Sequence, residues 1–168
     1  AMVETCAIFE DLFRIARDPA NLGLTALVMG TNDLALEMRC VLDTDRTAMS
    51  VLLTETILAA RAAGITVLDG VFNDLSDEEG LTRQAAQGAN FGFDGKTVIH
   101  PRQLAITNAA FTPTRDEFLS AQSLAAAFAA PENAGKGVIK HDGRMAELLP
   151  LREAERTIAR YSAATNTP

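Results

Sequence analysis

Tryptophan is absent from this sequence of 168 residues, tyrosine occurs once and cysteine twice. Cys6 and Cys40 share no spacing typical of a zinc site or a disulfide framework, so we predict two reduced, packed thiols. No apolar run approaches the roughly 20 residues that a membrane-spanning helix needs, and no secretory signal is recognisable. We therefore expect a cytoplasmic protein without a membrane partner.

Basic residues are also scarce. The chain has 15 Lys and Arg against 22 Asp and Glu, which gives a formal net charge of -7 at pH 7. No cluster of Lys or Arg stands out, and nucleic acids and acidic membranes both require such clusters, so neither is an expected partner. A small anionic ligand needs only a few local cations and is not excluded. The 48% apolar and 22% charged residues are typical of a globular domain with a core.

The first two thirds of the chain alternate short apolar segments with helical patterns. Apolar residues at helical spacing start at Ile8, and Pro19 ends that helix. LTALVMG, ITVLDG and KTVIHP are predicted strands, and the continuous apolar character of LTALVMG favours burial on both faces. Further helices are predicted over residues 47–63, after Ser76 as N-cap, and over residues 102–111.

The pattern changes near residue 114. Thr114 followed by Glu117 is a capping-box signature for a helix that Pro131 ends. The pair Asp142-Gly143 predicts a hairpin or loop, and Pro150 in a first turn predicts a final helix. This last part of the chain is therefore predicted to be mainly helical.

The predicted strand ends recur at regular intervals. They fall at Glu4, near Asp33, at Asp69 and at His100, which are 29, 36 and 31 residues apart. A (β/α)8 barrel averages about 31 residues per βα unit, and alternating buried strands and helices favour parallel, right-handed crossovers. Four such units would form about half of a barrel.

A complete open sheet of four strands is the alternative, and a start within a strand favours the half barrel. We therefore predict an α/β fold of the TIM (β/α)8 barrel family. Residues 1–112 would be the second half of the barrel, with four βα units, and residues 113–168 a helical extension or lid.

Residues that directly follow strand ends face the ligand crevice in parallel α/β folds. This rule selects the candidate site residues Glu4, Gly30, Thr31, Asn32, Asp33, Asp69 and His100. Lys96 lies at the start of its predicted strand, so we predict a structural role for it. A rim histidine that is hydrogen-bonded within the protein is the alternative to a functional His100.

Glu4 and Asp33 end adjacent predicted strands, which would place two carboxylates side by side. Close carboxylates repel each other, and a hard divalent cation such as Mg²⁺ removes that cost. The alternative is that each acid separately caps the following helix. The Gly-led turn GTND, residues 30–33, could also hold a carboxylate on its backbone N–H groups at a helix N-terminus.

Several stretches together resemble the citrate lyase beta-subunit-like, malyl-CoA lyase-type family of the HpcH/HpaI aldolase/citrate lyase superfamily. The most specific are the LDGVFND and GFDGKTVIHPRQ blocks, in this order and with this gap. MVET and LVMGTNDLALEMR resemble the two metal-ligand segments of the family, and GRMAELLPLREAER resembles its C-terminal tail.

The resemblance implies a Mg²⁺-dependent TIM-barrel enzyme, a homotrimer or hexamer, with a CoA thioester and a 2-oxo acid as partners. It makes Glu4 and Asp33 the Mg²⁺ ligands and the backbone after Gly30 a seat for the 2-oxo acid. Glu147 matches an acidic residue that reaches a neighbouring subunit's site as proton donor, although some relatives carry Asp there. Proteins of the family have an N-terminal half that includes a substrate-binding arginine. No residue of this chain matches that half, so we expect upstream residues or a second polypeptide to supply it.

The leading functional prediction is a CoA-ester lyase that cleaves or forms a C–C bond between an acyl-CoA enolate and a 2-oxo acid. A thioesterase acting on malyl-CoA-like esters is the nearest alternative. A class II aldolase acting on free 2-oxo acids is less favoured, because a helical extension suits the covering of a CoA arm. The non-enzymatic alternative is a half barrel that serves only as an assembly or regulatory subunit.

Overall fold

The computed structural model describes residues 1–165. The chain divides into two compact units, one from Ala1 to Phe111 and one that starts at Thr112. No helix in the described part of the chain is long and apolar enough to cross a membrane.

The first unit alternates strands and helices. Its strands are β1 (Met2–Val3), β2 (Ala26–Met29), β3 (Thr66–Asp69) and β4 (Gly95–Lys96). Its helices are α1 (Ile8–Ala16), α2 (Pro19–Leu22), α3 (Thr31–Met38), α4 (Ser50–Ala63), α5 (Glu78–Phe91) and α6 (Gln103–Phe111). A 3-10 turn, Thr47–Met49, leads directly into α4.

The four strands form one parallel sheet in the order β1-β2-β3-β4. Each strand is joined to the next through helical segments, as the alternation in the sequence predicts. The α/β class is therefore confirmed. The sheet remains open among the described residues, so the half barrel stays a prediction.

Side chains alternate in burial along the central strands. Leu27 and Met29 of β2 are buried, whereas Ala26 and Val28, which alternate with them, are only partly buried. Val67 and Asp69 of β3 repeat this pattern, since successive side chains of a strand point to opposite faces. The prediction that the apolar LTALVMG segment is fully buried on both faces is thus wrong for this unit.

The hydrophobic core of the first unit lies where α1 and α4 pack on the sheet. Leu12, Leu53 and Ala60 from these helices are buried there, together with Val3 and Val67 from the strands. Burial of one leucine-sized side chain contributes on the order of 1.5–3 kcal/mol, so this core holds the four strands and their carboxyl ends in place.

Two sequence predictions in this unit need correction. The predicted strand KTVIHP is wrong in its position, because β4 ends at Lys96, where its partner strand ends at Asp69. Among the described residues, one backbone bond, from Thr97 N to Asp69 O, follows that pair between the two strands. The N-cap of α5 is Asp77, which accepts from Gly80 N, whereas Ser76 bonds to Asp74.

The second unit contains α7 (Arg115–Ala129), β5 (Val138–His141), β6 (Arg144–Glu147) and α8 (Leu148–Thr165). The capping box of Thr114 and Glu117 is present as predicted. The hairpin is also confirmed, since β5 and β6 pair across Asp142-Gly143, both with positive φ. Helix α8 starts two residues before Pro150, and the rings of Phe118 and Tyr161 stack between α7 and α8.

Candidate functional site

The carboxyl ends of β1 and β2 form one edge of the parallel sheet. Val3 pairs in register with Met29, and Gly30 N donates to Val3 O at 2.9 Å. Glu4 therefore leaves β1 beside Gly30, where α3 begins. The strand-end rule correctly places both segments at this edge.

Gly30 supports Glu4 through a close approach of two backbones. A Cβ at Gly30 would overlap the Cβ of Glu4 and lie 3.2 Å from Glu4 Oε2. Only glycine therefore leaves the Glu4 side chain in its place. Within residues 1–165, the Glu4 carboxylate has no hydrogen-bond or ion-pair partner, so its oxygens are free for a ligand.

Asp33 lies in the first turn of α3 and is exposed. Its carboxylate also lacks a partner among residues 1–165. Asp33 lines a cavity of about 270 Å³ together with Gly30, Thr31, Val71 and Thr97. The structure thus brings a second unengaged carboxylate to the same edge of the sheet as Glu4.

Thr31 contributes an unusual polar atom to this cavity. Its side chain is 2% exposed, and its Oγ1 has no hydrogen-bond partner. Buried hydroxyl groups are nearly always bonded, so this unpaired one is an exception. Thr31 was predicted from its position in GTND, and the structure encloses its hydroxyl against Gly70.

Asn32 is held by a neighbour that the sequence interpretation missed. Asn32 Nδ2 donates to Asn73 Oδ1 at 3.1 Å, and Asn73 Nδ2 donates back to Asn32 Oδ1 at 2.7 Å. The two exposed amides thus connect the start of α3 with the loop after β3. The Asn32 side chain is therefore engaged in this pair, while its backbone belongs to the first turn of α3.

Asp69 lies at the end of β3 as predicted, but it is fully buried. Its Oδ1 accepts from Arg46 Nη1 at 2.5 Å and from Gly70 N at 2.8 Å. Its Oδ2 accepts from Lys96 Nζ at 3.3 Å. Both oxygens are engaged within the protein, so this geometry argues against the substrate contact predicted for Asp69.

Lys96 is equally enclosed. Its ammonium donates to Asp69 Oδ2, to Gly70 O at 2.5 Å and to Gln84 Oε1 at 2.7 Å, which uses all three of its hydrogens. Burial lowers the pKa of Lys96 to about 8, and the neighbouring Asp69 carboxylate opposes that shift. Lys96 stands at the end of β4 rather than at its start, but the predicted structural role agrees with this saturation.

Arg46 completes this cluster and was not singled out from the sequence. Besides its bond to Asp69, its Nε and Nη2 donate to Gln87 Oε1 at 2.9 and 2.7 Å. Arg46 is 1% exposed and has a φ of 52°, a strained conformation for a non-glycine residue. We call Arg46, Asp69 and Lys96 the buried charge cluster.

His100 does not directly follow a strand, because β4 ends four residues before it. His100 Nδ1 accepts from Arg102 N at 3.2 Å, which agrees with the alternative of a rim histidine bonded within the protein. Gln103 fixes this region: its Oε1 accepts from Ile99 N, and its Nε2 donates to Phe72 O. Gln103 could not be recognised from the sequence, since a buried glutamine has no distinctive local pattern.

Glu147 is the last residue of β6 in the second unit and is exposed. Its backbone pairs in register with Val138. Its predicted role in the site of a neighbouring subunit stays a prediction.

The unengaged carboxylates fit a magnesium site. Mg²⁺ in proteins is commonly held by one or two carboxylates, with waters and substrate oxygens completing six ligands. Glu4 and Asp33 meet that requirement, and the bare Cα of Gly30 leaves room for the first of them. Within residues 1–165 no group of three or more His, Cys, Asp or Glu side chains is arranged to hold a metal.

Comparison with known proteins shows which family the chain resembles. The family model described as HpcH/HpaI aldolase/citrate lyase matches residues 1–101. A (3S)-malyl-CoA thioesterase of Cereibacter sphaeroides is 45% identical over 163 residues, which cover 97% of this chain and 56% of the relative. The mitochondrial citramalyl-CoA lyase of Rattus norvegicus is 32% identical over 152 residues, or 90% of this chain and 45% of the relative.

Solved structures agree with the sequence relatives. The protein CitE of Mycobacterium tuberculosis, in complex with magnesium, acetoacetate and coenzyme A, superposes with a TM-score of 0.76 and 27% identity, over 96% of this chain and 60% of that one. A citrate lyase of Burkholderia xenovorans has a TM-score of 0.78 at 22% identity, over 99% of this chain and 53% of that one, and thus shares the fold.

The chain spans about half the length of the curated relatives it matches. The family model nevertheless covers more than half of the chain itself, including both unengaged carboxylates and the buried charge cluster. The chain belongs to the HpcH/HpaI aldolase/citrate lyase family.

Proposed function

We propose that the protein is a Mg²⁺-dependent CoA-ester lyase that cleaves or forms a C–C bond between an acyl-CoA and a 2-oxo acid. The observation that carries the proposal is the edge formed by β1 and β2, where Glu4 and Asp33 are both unengaged. Citramalyl-CoA lyase among the relatives, and CitE with magnesium, acetoacetate and coenzyme A, support this chemistry.

Glu4 and Asp33 would hold the Mg²⁺ ion. When bound, the ion supplies Lewis-acid polarisation of a carbonyl oxygen and stabilisation of developing negative charge. Glu4 would contribute its carboxylate directly after β1, and Asp33 would contribute its carboxylate from the first turn of α3. Gly30 contributes the space in which the Glu4 side chain lies.

The first turn of α3 would bind the carboxylate of the 2-oxo acid. The N-terminus of a helix offers free N–H groups and a favourable dipole to an anion. These groups would orient the acid, so that its reacting carbonyl faces the metal side of the cavity.

Glu147 is the proposed proton donor to the acyl-CoA enolate. We propose that it acts in the site of a neighbouring subunit of a homotrimer or hexamer, as the family resemblance implies. A carboxylic acid serves this purpose when a closed site raises its pKa toward the working pH. Glu147→Gln should reduce turnover strongly with Mg²⁺ affinity unchanged; unaltered turnover would exclude this role.

Hydrolysis of malyl-CoA is the second candidate. The (3S)-malyl-CoA thioesterase relative has the higher identity, 45% against 32% for the citramalyl-CoA lyase, and it matches more of this chain. In this reaction water attacks the thioester carbonyl, the C–S bond breaks, and malate and CoA leave. The carboxylate pair would serve both reactions, because both develop negative charge on a carbonyl oxygen.

Product analysis separates these two candidates. The purified protein is incubated with malyl-CoA and Mg²⁺, and glyoxylate, free malate, acetyl-CoA and CoA are quantified. Glyoxylate with acetyl-CoA identifies the lyase, whereas malate with free CoA identifies the thioesterase. Glu4→Gln should abolish either product, and Glu10→Gln, an exposed acid of α1, serves as the matched control. Product formation that is equal in Glu4→Gln and wild type would contradict the proposed site.

A further inference from the structure

The buried charge cluster is the largest group of enclosed titratable side chains that the proposed chemistry does not use. Its members lie at the ends of β3 and β4 and in the segment before α4. The cluster holds two cations and one anion, and each of them is at most 9% exposed. Removal of each ion from water costs several kcal/mol, and pairing at best offsets this cost. The cluster therefore needs an explanation beyond general stability.

The cluster has no capacity to bind a substrate directly. Lys96 has used its three donors, and both oxygens of Asp69 accept bonds from inside the protein. Arg46 is bonded to Asp69 and Gln87 and is 1% exposed. Any role in the reaction must therefore pass through a neighbouring group.

Gly70 is that neighbour, because the cluster holds both of its backbone polar groups. Asp69 Oδ1 accepts from Gly70 N at 2.8 Å, and Lys96 Nζ donates to Gly70 O at 2.5 Å. The peptide groups on either side of the Gly70 Cα are thus fixed by two opposite charges. Charge-assisted hydrogen bonds of this kind are roughly twice as strong as neutral ones.

Thr31 rests on the face of Gly70. A Cβ at Gly70 would lie 2.5 Å from Thr31 Oγ1, 2.7 Å from Thr31 Cγ2 and 3.0 Å from Met29 O. The Thr31 side chain therefore packs directly on the Cα that the cluster fixes. Thr31 is the first residue of α3, the helix whose first turn also carries Asp33.

From this continuous chain of contacts we infer that Arg46, Asp69 and Lys96 are positioning residues, which fix the first turn of α3 through Gly70 and Thr31. The inference rests on the proposed function, in which that turn carries the Mg²⁺ ligand Asp33 and the carboxylate seat. By this inference, the enclosed charges at the ends of β3 and β4 keep the site at the ends of β1 and β2 in a precise geometry.

Hydrogen exchange tests the positioning without any ligand. The Leu34 amide donates to Gly30 O at 3.1 Å and reports the first turn of α3. In Lys96→Met we expect at least a tenfold faster exchange of this amide, with amides of α4 unchanged. Arg61→Met, which removes a cation paired with Asp94 elsewhere in the same unit, is the matched control and should leave Leu34 unchanged.

A double-mutant cycle distinguishes positioning from general destabilisation. In a Thr31→Ala background the contact to Gly70 is lost, so Lys96→Met should accelerate the exchange of Leu34 much less than in wild type. Gly70→Ala leaves the cluster intact but displaces Thr31, so it should accelerate the same amide, and Thr31→Ala should relieve that effect. Gly70→Ala also decides the matter if Lys96→Met does not fold.

Two results would overturn the inference: Leu34 exchange unchanged in both Lys96→Met and Gly70→Ala, or full acceleration that persists in the Thr31→Ala background. A Mg²⁺ titration of the same variants is a separate measurement. We expect their Mg²⁺ affinity to be at least tenfold weaker than that of wild type. Absence of Mg²⁺ binding to wild type would contradict the proposed function, while the exchange results would still decide the inference.

Discussion

The rim of the parallel sheet has two sections that treat their acids in opposite ways. At the ends of β1 and β2, Glu4 and Asp33 are accessible and have no partner among the described residues. At the ends of β3 and β4, Asp69 is fully buried between Arg46 and Lys96. All three acids follow or end a strand, so the strand-end position alone does not distinguish a ligand-binding acid from a structural one.

The difference lies in the neighbours of each carboxylate. Glu4 faces the bare Cα of a glycine, which offers space and no donor, whereas Asp69 faces a guanidinium, an ammonium and a backbone N–H. An unpaired carboxylate gains most from an added cation, and a saturated one gains nothing. We therefore propose metal binding for the first section and positioning for the second.

Removal of the Asp69 charge should produce the largest effect. Asp69→Asn leaves Arg46 and Lys96 buried without an anion, and loss of one partner from a buried ion pair costs about 3–5 kcal/mol of stability. Urea unfolding measures this loss. Asp11→Asn removes the anion of the exposed pair with Arg14 and should leave the unfolding midpoint almost unchanged, because water screens that pair. Equal losses in the two variants would contradict the assigned difference between enclosed and exposed acids.

The pH dependence of stability should reveal Lys96. Its pKa is about 8 in the folded protein and has an ordinary value of 10.5. Between these values the unfolded chain binds more protons at this site, so the free energy of unfolding should rise with pH there. Because one pKa unit corresponds to about 1.4 kcal/mol, the free energy of unfolding should rise by at most about 3–4 kcal/mol.

Lys96→Met isolates this contribution, because the other titrating groups cancel in the difference. Wild type should gain stability relative to Lys96→Met as the pH rises from 8 to 10.5. Lys136→Met, at an exposed lysine of the second unit, should run parallel to wild type. A falling or flat difference for Lys96→Met would show that the ammonium is not held in this enclosed state.

A side chain at Gly30 should damage the first section of the rim. The Cβ in Gly30→Ala overlaps that of Glu4, so the acid must move, at a cost of about 1–3 kcal/mol in stability. Mg²⁺ affinity, measured by calorimetry, should fall at least tenfold. Gly137→Ala, where a Cβ meets nothing within 4 Å, should change neither quantity. Normal Mg²⁺ binding by Gly30→Ala would show that Glu4 does not belong to the metal site.

The amide pair that joins the two sections should matter least. Asn73→Ala removes the two bonds to Asn32, both between exposed side chains, and should cost less than about 1 kcal/mol. Mg²⁺ affinity should stay within twofold of wild type, because the buried contact of Thr31 with Gly70 remains. A large loss of affinity would shift the positioning role from the charge cluster to this pair.

Sequence patterns predicted the parts of the molecule that depend on local chemistry. The capping box at Thr114 and the hairpin turn at Asp142-Gly143 follow from short-range rules, which need only the conformational preferences of a few adjacent residues. The alternation of strands and helices also predicted parallel strands, with Glu4 and Asp33 at the ends of two adjacent ones.

The buried charge cluster could not be predicted in the same way. Arg46 lies 23 residues from Asp69 in a segment without apolar periodicity, and it bonds there from a left-handed backbone conformation. The residues after Lys96 have strand propensity, yet β3 ends at Asp69, and among residues 1–165 only Thr97 bonds back to its end. Long-range pairing therefore decided both the end of β4 and the fate of Asp69.

A Mg²⁺ titration of wild type against Glu4→Gln and Asp69→Asn tests the central comparison most directly. With calorimetry on folded protein, wild type should bind one Mg²⁺ ion, and Glu4→Gln should bind it at least tenfold more weakly at unchanged stability. Asp69→Asn should instead lose stability first, with any loss of affinity following the disturbance of α3. Equal Mg²⁺ affinities for wild type and Glu4→Gln would contradict the account.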